Sequence, residues 1–528
     1  MVELNPFRSW VPKAVGVVYS LLMLVICMSV DCVYSSLLNE NVGIRGMQSD
    51  DVQWALFCLV TGMCAGAPFV SRLLRICRLR AINVIGLTLM IAIEYLARDV
   101  ETPLVYALLS LTMGFVRMPC MMVNMMAMLS YLTGKNMATV FEDAPERTEE
   151  QWQKTMRIII LGMAFMYLVL MSMQQVGTSF SAWVAYVLYT RSVYDLMILF
   201  MATMLVLTIA LMERPRMDNL PAVPEGDTRW PFTAGRMMSA VFFMVCGCTF
   251  AWATTHGYNQ DWFNSAAVRL NYAASLVFLG AFLLTDCLRP KDKRYWDYEI
   301  LALPSARWAL LIFFLAIILN SSSLLVTICS QLTMHLDQWH SACLSMWAWV
   351  GYVLATLLVA LTFKFIHYRH YWTVAISFFT AYALSLYLTV QTEMEYSHLV
   401  WLTVVRAMGL FLIYATCMAL SFYRRPGSLL ASWILIMLFT RNLIGNALGI
   451  AFYQQHMLEG QLEYLQSYAP SYSGMMAVQG MIGSIKQLSG ITFWIGLAVV
   501  IFLLACNWDW LKGKKSPVRA SEYADCKD

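Results

Sequence analysis

SVDCVYSSLLNENVGIRGMQSDDVQWALFCLVTGMCAGAPFVSRLLRICRLR, residues 29–80, decides how the rest of the chain is read. It holds an acid, Asp31, inside an apolar helix and then a short polar gap ending at Gln53-Trp54. A second apolar helix follows, and the stretch closes on the basic run Arg72, Arg75, Arg78 and Arg80. An uncompensated carboxylate deep in a bilayer costs at least ~2.5 kcal/mol, so Asp31 is a functional-site candidate on physical grounds alone.

Composition sets the class in which that acid must be understood. Of 528 residues, 60% are hydrophobic and 13% charged, with a mean hydropathy of +0.61. Such a chain has too few polar groups to cover a water-soluble core. The 14 cysteines lie mostly in apolar runs, as in Cys246-Gly247-Cys248, and no Cys/His spacing fits a zinc site. They read as small apolar fillers. Residues 14–37 are apolar for longer than a signal-peptide core and lack a small-residue cleavage pattern, which predicts a retained helix.

Apolar runs long enough to cross a ~30 Å hydrocarbon slab recur fourteen times, at 14–37, 52–74, 80–97, 104–132, 157–188, 194–212, 237–255, 265–286, 307–330, 341–363, 371–391, 397–421, 430–454 and 488–507. With the N-terminus inside, and with the edge residues Arg72, Arg80, Arg157, Arg269 and Arg307 counted with the adjoining segments, the inward segments carry 28 of the 36 Lys and Arg, the outward ones 5, and the span interiors Arg117, Arg406 and Arg441. That asymmetry predicts both termini in the cytoplasm.

Two echoes suggest a duplicated bundle. Gln53-Trp54 precedes an apolar helix and a basic loop, and Asp337-Gln338-Trp339 precedes another apolar helix and the loop Lys364 to Arg369. Each half also carries one arginine in its fourth helix, Arg117 and Arg406. Parallel six-helix repeats are the footprint of a major-facilitator transporter. The expected fold is therefore an all-α polytopic membrane protein of 14 transmembrane helices. It divides into an N-terminal six-helix bundle at 1–212, an inserted helix pair with flanking loops at 213–306, and a C-terminal bundle with a cytoplasmic tail at 307–528.

The motifs point further. SVDCVYSSLL with VQWALFCLVTGMCAGAPF, HGYNQDWFNSAAV at 256–268, Arg441-Asn442-Leu443-Ile444-Gly445 with Gly449, and YQQHMLEGQLEYLQSYAP together resemble the 14-helix drug:proton antiporters of the EmrB type. Those proteins lie within the major facilitator superfamily. The chain departs from that family in two places. Its loop after helix 2, Ala67 to Arg75, keeps Arg72 and Arg75 but not the family's acid and second glycine. Its helix-5 signature, Gly177-Thr178-Ser179-Phe180-Ser181-Ala182, keeps small residues for close helix approach but has lost the proline.

Asp31 fits a carrier of the coupling proton, since burial raises a carboxyl's pKa; the alternative is a permanent structural pair. Arg117, which resembles the family's helix-4 arginine facing helix 1, needs a buried partner, and Asp31 is the candidate. Arg72 and Arg75 are candidate gate residues or simple topology signals. Arg406, Arg441 and Asn442 are candidates for a substrate cavity, or they join helices structurally. In DWFNS, Asn264 or Ser265 is expected to cap the eighth helix and Trp262 to anchor at the interface. Loop 455–487 is a docking helix for a partner or a surface loop.

The expected function is proton-coupled export of hydrophobic or amphipathic compounds across the inner membrane. The alternative is a major-facilitator importer, or a lipid or solute transporter without drug antiport. No G-x-x-x-x-G-K-[ST] loop occurs, and no cofactor or metal is expected. The expected partners are a lipophilic small molecule, protons and the bilayer. The resemblance adds a periplasmic adaptor and an outer-membrane channel, and nucleic acid is not expected. A membrane enzyme would need polar groups clustered at one depth, yet the seven histidines fall almost entirely at loop positions.

Overall fold

A computed structural model of the chain describes residues 7–36, 42–43, 46–76, 79–133, 149–213, 232–290, 294–296, 298–302, 304–362, 368–391, 394–419, 427–468 and 474–506. The side chains of Asp31, Arg72 and Arg75 lie outside what is described.

The first eight long helices are α1 (Lys13–Ser36), α2 (Ser49–Ile76), α3 (Leu79–Ala97), α4 (Pro103–Thr133), α5 (Glu149–Val187), α6 (Thr190–Leu211), α7 (Ala234–His256) and α8 (Ala266–Cys287). They are followed by α9 (Pro304–Ser321), α10 (Ser323–Met334), α11 (Gln338–Met346), α12 (Ala348–Thr362), α13 (Tyr368–Thr389) and α14 (Tyr396–Ala419). The last are α15 (Gly427–Phe439), a π-helical segment Thr440–Gly445, α16 (Asn446–Tyr468) and α17 (Gly474–Cys506). Among the described residues, 13 helical stretches are long and apolar enough to span a membrane, and each coincides with an expected span. The remaining expected span, 157–188, falls on α5.

Two spans differ in detail from their sequence reading. Residues 307–330 read as one helix, but the ladder breaks at Ser322 between α9 and α10; likewise 341–363 divides at Trp347 between α11 and α12. Of the two readings of 455–487, helix or surface loop, the segment is helical over most of its length, as α16 runs on to Tyr468 and α17 starts at Gly474. The reason is packing: Met457, Ile482 and Ile485 join one buried apolar cluster, and a Cβ at Gly460 would press on Ser484 Oγ.

The chain forms two compact units. One comprises Met1–Arg147, Phe180–Ile300 and Arg424–Leu443; the other comprises Thr148–Ser179, Leu301–Tyr423 and Ile444–Asp528.

In the first unit, α2 and α4 cross backbone to backbone. A Cβ at Gly62 would fall inside van der Waals contact with the Leu111 carbonyl, and one at Gly114 would do the same to the Leu59 carbonyl. Only glycine permits that approach, which is how helices associate when lipid removes the hydrophobic drive. A buried polar knot ties α1, α3 and α6 to α4. Tyr19 Oη and Thr208 Oγ1 are 2.6 Å apart, Asn83 Nδ2 donates to Asn124 Oδ1 at 3.4 Å, and Asn124 Nδ2 returns to Asn83 Oδ1 at 3.1 Å. The Arg8 N–H donates to the Leu211 carbonyl at 3.0 Å, so the start of α1 and the end of α6 share one face, as six crossings require.

In the second unit the core runs through Leu325, Cys329, Tyr382, Leu386, Leu402 and Tyr453. The Asp337-Gln338-Trp339 echo marks a helix start. Asp337 caps α11, accepting from the His340 backbone N–H at 2.8 Å and lying 2.6 Å from His340 Nδ1. Burial pulls the Asp337 carboxyl up, but the His340 backbone and side chain outweigh it and leave it below the usual carboxylate range. A lowered folded value means the cap stabilises above the ordinary carboxylate range and is lost as pH falls through that value. Asp337→Ala is expected to cost about 1 kcal/mol at neutral pH, read as a lower unfolding temperature whose gap from the parent closes on acidification.

Candidate functional site

The Arg117 guanidinium has 0% exposure in the middle of α4. It is brought there by an apolar helix, and its Nη2 lies 2.6 Å from Met63 Sδ on α2. Two residues further on, Pro119 removes a backbone donor from α4. Asp31 lies on α1, which packs on α4. Cys27 and Cys120 are within electrostatic reach of each other across that contact.

Arg441 and Asn442 are half-buried and sit in the π-helical segment Thr440–Gly445. Single π turns widen the helix locally and recur at functional positions. The helix-5 residues Gly177, Ser181 and Ala182 are all buried on α5. Ser179 Oγ donates to the Ala342 carbonyl of α11 at 3.0 Å.

Arg406, on α14, donates from Nη1 to Asn320 Oδ1 on α9 at 2.8 Å. Just beyond Asn320, the ladder is diverted. Tyr382 Oη donates to the Ser322 carbonyl at 3.0 Å, and the hydroxyl of Ser322 turns back onto the Leu319 carbonyl at 2.5 Å. A Cβ at Gly449 would clash with Ser321, so α16 presses directly on this break.

Two further polar clusters went unremarked in the sequence. On the face that the charge count assigns outward, His256 Nε2 lies 3.1 Å from Asp51 Oδ1, and Asn259 Nδ2 donates to Asp50 Oδ2. The His256 ring stacks on Trp252 at 4.6 Å between centroids, and Trp54 Nε1 donates to the Cys248 carbonyl at 3.0 Å. Paired acids in the first turn of α2, with an aromatic three residues on, were the available signal. At the opposite end, Asp286 accepts the Tyr295 backbone N–H at 2.6 Å and that of Trp296 at 3.2 Å. This fold-back buries both rings among Phe69, Phe243, Phe282 and Phe439 and lets Tyr295 Oη donate to the Ala65 carbonyl. Burial pushes the Tyr295 phenol well up, so it remains a donor.

DWFNS behaves differently from its expected capping role. Ser265 occupies the N-cap of α8, but no side chain caps that helix. Asn264 Nδ2 instead donates to Asp261 Oδ2 at 2.8 Å and Ser265 Oγ to Gln260 Oε1 at 3.2 Å, closing a tight turn in which Asp261 and Trp262 take positive φ of 55° and 47°. The Trp262 ring lies over Gly257, where a Cβ would collide with it.

No protein-family model and no curated protein sequence matches the chain. Solved structures do. The peptide transporter POT in complex with sulfate is similar at TM-score 0.56 and 13% identity, over 95% of this chain and 96% of that one. Tetrameric PepTSo2 is similar at TM-score 0.55 and 11% identity, over 96% and 100%. The nucleoside transporter NupG is similar at TM-score 0.50 and 10% identity, over 93% and 98%. At such identities the likeness is one of fold: this chain has the major-facilitator fold and is an all-α, multi-pass membrane protein.

Proposed function

We propose that the chain is a secondary transporter that exports hydrophobic or amphipathic compounds across the inner membrane, driven by proton influx. Asp31 carries the proton and Arg117 is the cation it alternately binds and releases. The observation that supports this most directly is a guanidinium held at 0% exposure inside a fold shared with transporters over nearly its whole length. Helix register adds to it. With Cys27 of α1 and Cys120 of α4 within electrostatic reach of each other, position 31 lies one turn along α1 from that approach and Val116 and Arg117 one turn back along α4. Protonating Asp31 would then weaken its hold on Arg117 and bias one orientation of the transporter over the other. Arg72 and Arg75, at the inward end of α2, act at the cytoplasmic gate. Both termini are cytoplasmic, and the helical ends of α16 and α17 offer the surface on which a periplasmic adaptor would dock.

Reconstituted in proteoliposomes with an imposed pH gradient, the parent chain should concentrate lipophilic dyes in a way an uncoupler abolishes. Asp31→Asn should lose that gradient-driven flux while keeping its elution profile. Undiminished transport by the variant would reject the coupling role. A second reading, an importer or a solute transporter without drug antiport, is favoured by the lost helix-5 proline and by the peptide and nucleoside transporters that share the fold. The direction of flux in vesicles of known orientation separates the two.

A further inference from the structure

We infer that the second unit carries an anion-recognition point, formed by Arg406 and Asn320, and that the transported amphiphiles bear a carboxylate or another acidic oxygen group. The inference rests on the reading of the chain as a transporter and adds the charge class of its substrate.

Depth is the first argument. Arg406 lies midway along the span Tyr396–Cys417, and Asn320 lies midway along the span Ala306–Met334. Both are only half-buried. A guanidinium and an amide left half-open at this depth would be prohibitively costly against lipid tails, so they face a water-filled opening.

Charge is the second. Among the described residues, no carboxylate lies within ion-pair distance of Arg406, and its hydrogen-bond partner is the neutral Asn320. The sequence explains why. The spans 306–334, 338–362, 370–389, 396–417 and 476–506 contain no Asp or Glu at all. The acids of α16, Glu459 and Glu463, sit at its far end, where Glu459 is taken by His456 and Gln455. The first unit differs in sequence, since its first span carries an acid, Asp31. Among the described residues of the second unit, this mid-depth cation meets no carboxylate, and a bound solute would supply one.

Geometry is the third. Asn320 Oδ1 holds one guanidinium nitrogen and so aims the fork, whose remaining N–H groups match the two oxygens of a carboxylate or phosphate. Just past Asn320 the helix tightens at Ser322, whose carbonyl accepts both the Leu325 N–H at 3.0 Å and Tyr382 Oη from α13 at 3.0 Å.

The test uses the full chain in nanodiscs and three dansylated amphiphiles on one eleven-carbon chain: a carboxylate, its primary amide and the corresponding amine. The parent should bind the carboxylate at least ~10-fold tighter than the amide. Arg406→Gln should weaken the carboxylate by roughly 10–100-fold, the range for hydrogen bonds to charged groups, with little change for the amide. Should that variant unfold, Asn320→Asp gives an independent reading: it supplies an internal carboxylate to Arg406 and should compete away carboxylate binding while the unfolding temperature holds or rises. Equal affinities in the parent, a preference for the amine, or a carboxylate preference that survives both substitutions overturns the inference. Flux of the amide probe in proteoliposomes without any carboxylate preference would overturn this inference and leave the transport reading standing. Carboxylate binding without flux of any probe would support the anion site and overturn transport.

Discussion

Gly114→Ala should destabilise the protein more than any other single-carbon addition in the first unit. The added Cβ would fall inside the Leu59 carbonyl oxygen, which is main chain in the middle of α2 and has no rotamer with which to yield. The two helices must then separate. Overpacking costs about 1–3 kcal/mol even where side chains can adjust, and here α2 and α4 would also lose contact along the crossing lined by Gly62 and Gly66. Gly62→Ala addresses the same crossing through the Leu111 carbonyl. The double variant should therefore cost clearly less than the two singles added together, since helices already parted by one methyl accommodate the second. Gly280→Ala is the control: nothing lies within 4 Å of its added carbon, and helix propensity alone should leave it neutral or better by up to about 1 kcal/mol. Unfolding temperatures of the four purified variants settle the matter. An unchanged Gly114→Ala would mean that the crossing is looser than the structure has it.

The second large effect follows from the proposed pairing of Asp31 with Arg117. Truncating one member of a buried ion pair costs about 3–5 kcal/mol, because the other charge is stranded, whereas removing both costs far less. Arg117→Met keeps the volume and removes the charge from a site with 0% exposure. Expected stabilities are a severe loss for Arg117→Met, a smaller loss for Asp31→Asn, whose amide still accepts a hydrogen bond, and partial recovery in the double variant. Strict additivity would show that the two residues do not meet and would detach Arg117 from the proposed coupling. Because this measurement reads stability, it is independent of whether Asp31→Asn transports.

The sequence was most legible where one physical signal dominates. A run of apolar residues must cover the hydrocarbon thickness whatever its neighbours do, so the existence and place of the spans are legible, although the last two helices reach well beyond the expected 430–454 and 488–507. Signals that depend on a distant partner were invisible. The Asn320-Ser321-Ser322-Ser323 run is averaged away by flanking leucines and isoleucines, and the break at Ser322 needs the Tyr382 hydroxyl from another helix. The polar ends of α16 and α17 read as a loop because their stability comes from Gly460 lying against Ser484, a fit with no periodic trace. DWFNS carries the composition of a cap, yet its side chains satisfy one another and leave α8 uncapped. At the candidate site, the burial of Arg117 followed from its being a charge in a span. The partner of Arg406 did not, since Asn320 lies in a different helix and carries no charge to announce itself. Nothing in the sequence joins His256 to Asp51, 205 positions apart, although the two meet at 3.1 Å.

The aromatic box around Trp296 has an implication for biosynthesis. Phe243 and Phe282 precede Trp296 in the chain, but Phe439 belongs to α15, which leaves the ribosome long after them. Until that helix is inserted, the box lacks a wall and the indole stays partly uncovered. A nascent chain halted before α15 should therefore expose a hydrophobic face to quality control, and completion of the box is a molecular sign that translation has passed this point.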